Sequence, residues 1–270
     1  MPSESCACIG CEIIKVKDLI RTALWSSGAQ GVVLGISGGI DSAVACALAV
    51  KAAGPERVLG VSMPASAAGG ADAEDAALLC KTLGVELITV SLERTLSAFL
   101  SSPHITNTPI LAGNAAARLR MITLYNIAAS RNYLVCGTSN KTEYLIGYST
   151  KWGDGAADIQ PLLHLYKRDV YAIAEELELP RRLIEKAPSA GFFEGQTDEK
   201  EIGLTYEVLD DALFSLELNN YEPQNETEEK VLATLAKITE LKKQLDATPE
   251  ADKAAKFAEL LGEVVTDSTK

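Results

Sequence analysis

The sequence predicts a doubly wound α/β fold, a parallel sheet with helices on both faces, and three observations lead there. Four short apolar runs read as strands buried on both sides. Helical patterns separate them, and strand–helix alternation argues for a parallel sheet covered on either face. The first run also empties into Gly38-Gly39 and then an apolar helical stretch, a strand–turn–helix unit of the kind that opens a ligand site at the carboxyl edge of such a sheet.

Taken in order, residues 31–36 form the first strand and residues 41–53 the helix after it. The second pair is residues 58–63 and 72–83, where Asp72 is placed to cap the helix and Glu74 and Asp75 suit the positive end of its dipole. Residues 86–90 and 92–100 follow. A helix over 114–131 then leads into a fourth strand over 133–136. The connection 147–161 is rich in Gly and Asp and has no clear period, and loops of that size in a compact domain are more often functional than idle. Helices return at 167–177 and 206–216. From Glu226 two charged amphipathic segments flank Pro249. Val231, Leu235, Ile238, Leu241 and Leu245 line one face of the first, and Phe257, Leu260, Leu261 and Val264 line the second. The expectation is one domain over residues 1–270, with 222–270 a helical tail that packs on the domain or on a partner subunit.

A net charge of −12 repels phosphate backbones, so neither nucleic acid nor an anionic membrane surface is an expected partner. The longest apolar run, residues 43–50, is too short to span a bilayer, and no secretory signal opens the chain, so cytoplasmic residence is expected. Cys46, Cys80 and Cys136 sit inside apolar patterns and read as small buried side chains. Cys6, Cys8 and Cys11 cluster near the N-terminus without a fourth ligand nearby, which reads as a frayed terminus rather than a metal site.

The chemistry concentrates in Gly35-Ile-Ser-Gly-Gly-Ile-Asp-Ser42. Gly38 and Gly39 let the backbone turn sharply and approach a ligand without a Cβ in the way. Loop amides and the helix N-terminus then favour an anion, and the hydroxyls of Ser37 and Ser42 add donors. Asp41 beside an anion implies a bridging cation, and Mg²⁺ is the usual one. The loop lacks the Gly-Lys-Ser/Thr ending of a Walker A motif. After the fourth strand, Thr138 and Asn140 can bond an adenosine or phosphate group, and Glu143 can offer the metal a second carboxylate, although a glutamate there is ordinarily a solvated helix residue. His164 reads as structural.

Together these segments resemble the ammonia-dependent NAD synthetases, a family of ATP-pyrophosphatases with a Rossmann-like fold of the adenine nucleotide α-hydrolase type. The likeness runs over roughly residues 12–218. It is carried by the Gly35–Ser42 loop, Asn114-Ala-Ala-Ala-Arg-Leu-Arg-Met121, Gly137-Thr-Ser-Asn140, Thr150-Lys-Trp-Gly-Asp-Gly155 and Gly195-Gln-Thr-Asp-Glu199. The resemblance implies an ATP site of Gly35, Ile36, Ser37, Gly38, Gly39, Ile40, Asp41, Ser42, Thr138, Lys167 and Ser189. It implies magnesium on Asp41 and Glu143, with Asp41 and Lys167 catalytic. It implies deamido-NAD contacts at Arg118, Lys151 and Asp158, ATP and ammonia as co-substrates, and a homodimer. The family's C-terminal His-Lys pair is absent, since the two histidines are His104 and His164. Another ATP-pyrophosphatase that amidates or thiolates a different substrate, and a non-catalytic adenine-nucleotide sensor, are the alternatives.

Overall fold

The computed structural model describes residues 8–66, 70–189 and 197–247. Cys6 and the second amphipathic tail segment lie outside them. The chain divides into two compact units, one running to Tyr144 and resuming over Tyr148–Val208, the other made of Leu145–Gly147 and the chain from Leu209 onward.

In the first unit, helix α1 (Ile9–Ser27) precedes strand β1 (Gly31–Gly35), helix α2 (Ile40–Ala53), β2 (Val58–Ser62), α3 (Gly70–Leu83) and β3 (Glu86–Thr89). Helices α4 (Glu93–Leu100) and α5 (Pro109–Arg131) then lead into β4 (Tyr133–Val135), followed by α6 (Lys141–Ile146), α7 (Lys167–Glu176), α8 (Arg181–Ile184) and α9 (Asp198–Ile202). The strands pair in parallel in the order β3-β2-β1-β4, with Val32 opposite Val58 on one side and Leu134 on the other. Each observed strand ends one residue short of its expected span.

Consecutive strand residues point to opposite faces, and both faces are covered. Val32 and Leu34 pack into a core with α1, α2 and α7, which contribute Val16, Ile20, Val44, Leu48, Val170 and Ile173. Val33, Leu59, Val61 and Val135 meet Leu124, Ile127 and Ala128 of α5 on the other face. Helix α2 is buried continuously from Ser42 to Ala49, which is why its sequence is apolar all round.

Two expectations at element ends are corrected. The frayed N-terminus does not hold for Cys8 and Cys11. Cys8 stands at the N-cap of α1 and Cys11 lies in its first turn, because Val16, Ile20 and Leu24 form a buried stripe that docks the helix. Asp72 is not the cap of α3, since that helix already runs from Gly70 and Asp72 lies in its first turn.

The second unit holds most of α10 (Tyr206–Leu218) and α11 (Glu226–Ala247). Asn225 starts α11: its Oδ1 accepts from Glu228 N at 3.0 Å, and its Nδ2 donates to Glu228 Oε1 at 2.6 Å. Val231, the first residue of the expected apolar stripe, is buried. Among the described residues no helix is long and apolar enough to cross a membrane.

Candidate active site

The loop after β1 is fixed by its own hydroxyls. Ser42 Oγ donates to Gly39 O at 2.9 Å and accepts from Ser37 N at 3.3 Å, while Ser37 Oγ accepts from Gly39 N at 3.2 Å. Ser37 and Ser42 therefore shape the turn as well as carrying donors. Gly38 has a φ of +78°, and a Cβ there would lie 2.8 Å from Asp72 O of α3. The position requires glycine on both counts. Gly39 forms the N-cap of α2, so the loop amides and the start of a 14-residue helix face one spot.

Asp41 opens α2 and meets two other charged residues. Lys167 Nζ donates to Asp41 Oδ2 at 2.6 Å and to Glu143 Oε1 at 3.1 Å, and its side chain is 2% exposed. Local structure puts it there. Lys167 is the first residue of α7, its amide donates to Thr142 Oγ1 at 3.0 Å, and its ammonium lies 4.8 Å from the ring centre of Tyr206. Asn140 is fully buried; its Nδ2 donates to Asp41 Oδ1 at 2.8 Å and its Oδ1 accepts from Glu143 N at 2.9 Å. The Asn140 amide, expected on an adenosine or phosphate group, thus links the Asp41 carboxylate to the backbone of Glu143. Glu143 is not a solvated helix residue: its side chain is 16% exposed. Burial, and then the Asp41 carboxylate, push Glu143 up to about 7 against the pull of Lys167. Burial alone would lower the Lys167 pKa, but Asp41 and Glu143 hold it above the ordinary lysine value.

A second group lies on α5 and the loop that follows α6. Thr150 is buried, donating Oγ1–H to Asn114 Oδ1 at 2.6 Å, while its amide donates to Asp154 Oδ1 at 2.9 Å. Gly153 faces α5 so closely that a Cβ would lie 2.9 Å from Thr150 Cγ2 and 3.1 Å from Ala117 Cβ. Arg118 Nε donates to Lys151 O at 3.1 Å, which joins two of the expected dinucleotide residues, and the Lys151 and Trp152 side chains are exposed. Asp158 accepts from Val135 N at 2.7 Å and from Tyr125 Oη at 3.3 Å, so it also braces β4 against α5. Thr138 is half-buried between β4 and α6, and Ser189 is exposed beyond α8. His164 Nε2 lies 3.1 Å from Glu12 Oε2, in keeping with a structural role.

Sequence reading missed Lys186. Its Nζ donates to Gly38 O at 3.1 Å and pairs with Asp72 and Asp75 at 2.7 Å each, tying the phosphate-type loop to α3. Only tertiary structure joins residues more than 100 positions apart. Among the described residues, no group of three or more His, Cys, Asp or Glu side chains is arranged for a metal. The site instead offers one carboxylate pair, Asp41 and Glu143, already converging on a cation.

The family model described as NAD synthase matches residues 12–247. The NH(3)-dependent NAD(+) synthetase of Methanoregula boonei is 49% identical over 225 residues, which is 83% of this chain and 91% of that protein. Among solved structures, an NMN synthetase from Francisella tularensis superposes with a TM-score of 0.78 at 36% identity, covering 90% of this chain and 98% of that one. The NH3-dependent NAD synthetase from Campylobacter jejuni does so with a TM-score of 0.72 at 35% identity, covering 84% and 92%. The matched span contains the sheet, the loop and the charged centre, and on these matches the chain belongs to the NAD synthase family, with that family's adenine nucleotide α-hydrolase type of fold.

Proposed function

We propose that the chain is an ammonia-dependent ligase that converts deamido-NAD, ATP and ammonia into NAD, AMP and pyrophosphate. The observation that carries this reading is the Asp41–Lys167–Glu143 cluster, braced by Asn140 at the mouth of the Gly35–Ser42 loop. In the first step the nicotinate carboxylate bonds to the α-phosphorus of ATP. The bond to the β-phosphate breaks, and its electron pair leaves with pyrophosphate. Ammonia then adds to the acyl-adenylate carbonyl and AMP departs. No protein nucleophile is required, so catalysis rests on positioning and on charge placed where charge develops.

The loop amides and the α2 N-terminus hold the departing phosphates, and Lys167 supplies a buried positive charge beside them. Asp41 and Glu143 are hard oxygen donors that share one cation already, and Mg²⁺ is commonly held by one or two carboxylates together with substrate phosphates. They fit magnesium, which when bound would offset the charge on the pyrophosphate leaving group. Asn140 fixes the Asp41 carboxylate and the backbone that carries Glu143. Arg118, Lys151 and Asp158 orient the dinucleotide. The reading includes a homodimer in the cytoplasm; the exposed Ile110 and Ile122 of α5 support a subunit contact.

Purified chain incubated with ATP, MgCl₂, ammonium and deamido-NAD should release pyrophosphate and form NAD in equal amounts. Nicotinate mononucleotide is run beside it, because the Francisella neighbour is an NMN synthetase. Faster turnover of the mononucleotide would reassign the substrate. ATP binding without pyrophosphate release under either condition would favour a nucleotide sensor.

A further inference from the structure

Arg120 lies two residues beyond Arg118 on α5, about 200° further around the helix, so the two guanidinium groups leave it on different sides. Arg118 reaches Lys151 O. Arg120 is half-buried, and its Nε donates to Met63 O at 3.3 Å, at the carboxyl end of β2. The Met63 side chain lies over Gly35, where a Cβ would meet Met63 Cε at 3.2 Å. Arg120 therefore stands beside the strand that feeds the phosphate loop. The carboxylates whose charge it feels are Asp154, in the Thr150 loop, and Asp72, in the first turn of α3.

Neither neutralises it. Among the described residues no carboxylate lies within ion-pair distance of Arg120, and both neighbours are engaged elsewhere: Asp154 Oδ1 with Thr150 N, and Asp72 Oδ1 with Lys186 Nζ. Burial disfavours the charge, yet arginine keeps its proton in proteins. An enclosed cation without a carboxylate is costly unless an anion arrives to complete it. Lys186 differs, because its three acceptors account for it fully.

We propose that Arg120 is a further catalytic residue, which takes the anionic oxygens of the α-phosphoryl group of ATP while the substrate carboxylate bonds to it. Its place between the phosphate loop and the Thr150 loop is where two anionic reactants must meet. Negative charge gathers there as the carboxylate oxygen attacks and pyrophosphate leaves, and a guanidinium held ready at that point lowers the barrier. The inference rests on the ligase reading and assigns it a residue.

The test compares R120A, R120Q and R118A with the parent chain in single-turnover pyrophosphate release, with ATP binding measured separately by calorimetry. R120A and R120Q should lose roughly 10²–10³-fold in rate, as removal of a preorganised charge donor does, with ATP affinity changed much less. Added guanidinium ion should restore part of the R120A rate and none of any R118A deficit. R120Q keeps a donor for Met63 O without the charge, so it separates charge from packing should R120A fold poorly. A folded R120Q within about threefold of the parent rate would overturn the proposal, since ordinary surface changes cost no more than that. So would a loss seen only in ATP affinity. A parent chain that releases no pyrophosphate would instead refute the ligase reading itself.

Discussion

Asp41, Glu143 and Lys167 place two negative charges and one positive within hydrogen-bond distance, and the proposed function gives each a part in turnover. D41N should leave the melting temperature nearly unchanged while pyrophosphate release falls by about 10²-fold or more, because a metal and ammonium partner is lost rather than core packing. Near-normal release would remove Asp41 from the metal role. Glu143 adds a pH signature. Its folded value is about 7 against an ordinary 4.5, so the folded state holds the proton more tightly. That contribution is full below the unfolded value and is lost as pH rises toward the folded one. In metal-free, nucleotide-free buffer, the melting temperature of E143Q relative to the parent should climb between about pH 5 and 7 and level off above. A flat difference would place Glu143 in solvent. Lys167→Ala should chiefly impair ATP chemistry and Lys151→Ala deamido-NAD use, and identical loss profiles against the two substrates would erase that division. Asp41, Glu143 and Lys167 were legible through motif and resemblance. The Asn140 link was not, since a buried amide that joins a carboxylate to the start of another helix has no pattern in a linear sequence.

The loop between β1 and α2 works because other elements hold it. Gly38 is pressed against α3, and Lys186, just beyond α8, clamps the Gly38 carbonyl to Asp72 and Asp75. G38A would need both a left-handed backbone and room beside Asp72 O. It should lose roughly 1–3 kcal/mol of stability and most ATP affinity. Denaturant unfolding and calorimetry check this, and a variant with unaltered ATP binding would show that the loop shifts freely. The strands were legible almost to the residue because β1 and β2 are buried on both faces, leaving continuous apolar runs between turn residues. Helix α1 escaped notice, because its buried stripe of Val16, Ile20 and Leu24 is diluted by exposed Ile14, Leu19 and Trp25. The cluster of Arg182 and Lys186 with the α3 acids was beyond reach, because charged residues 100 positions apart look like ordinary surface.

At the scale of the whole molecule the question is where the nitrogen comes from. A net charge of −12 offers no long-range attraction to anionic substrates, so ATP and the dinucleotide depend on the local donors of the site. Ammonia, being neutral, meets no such barrier. Using glutamine would require a nucleophile with a means of activation. Cys46, Cys80 and Cys136 are buried. Burial pushes Cys136 up to about 12, and a hydrogen bond to Cys80 together with burial pushes Cys46 up, so neither is a thiolate near neutrality. Cys8 and Cys11 are exposed at the start of α1, where the Cys11 thiol lowers the pKa of Cys8. They are the candidates a glutamine-using mechanism would need among the described residues. The purified chain should form NAD from ammonium and essentially none from glutamine in ammonia-free buffer, and C8S and C11S should leave the ammonium rate unchanged. Glutamine-driven synthesis abolished by C8S would overturn this prediction and turn the N-terminal cysteines into a second active site.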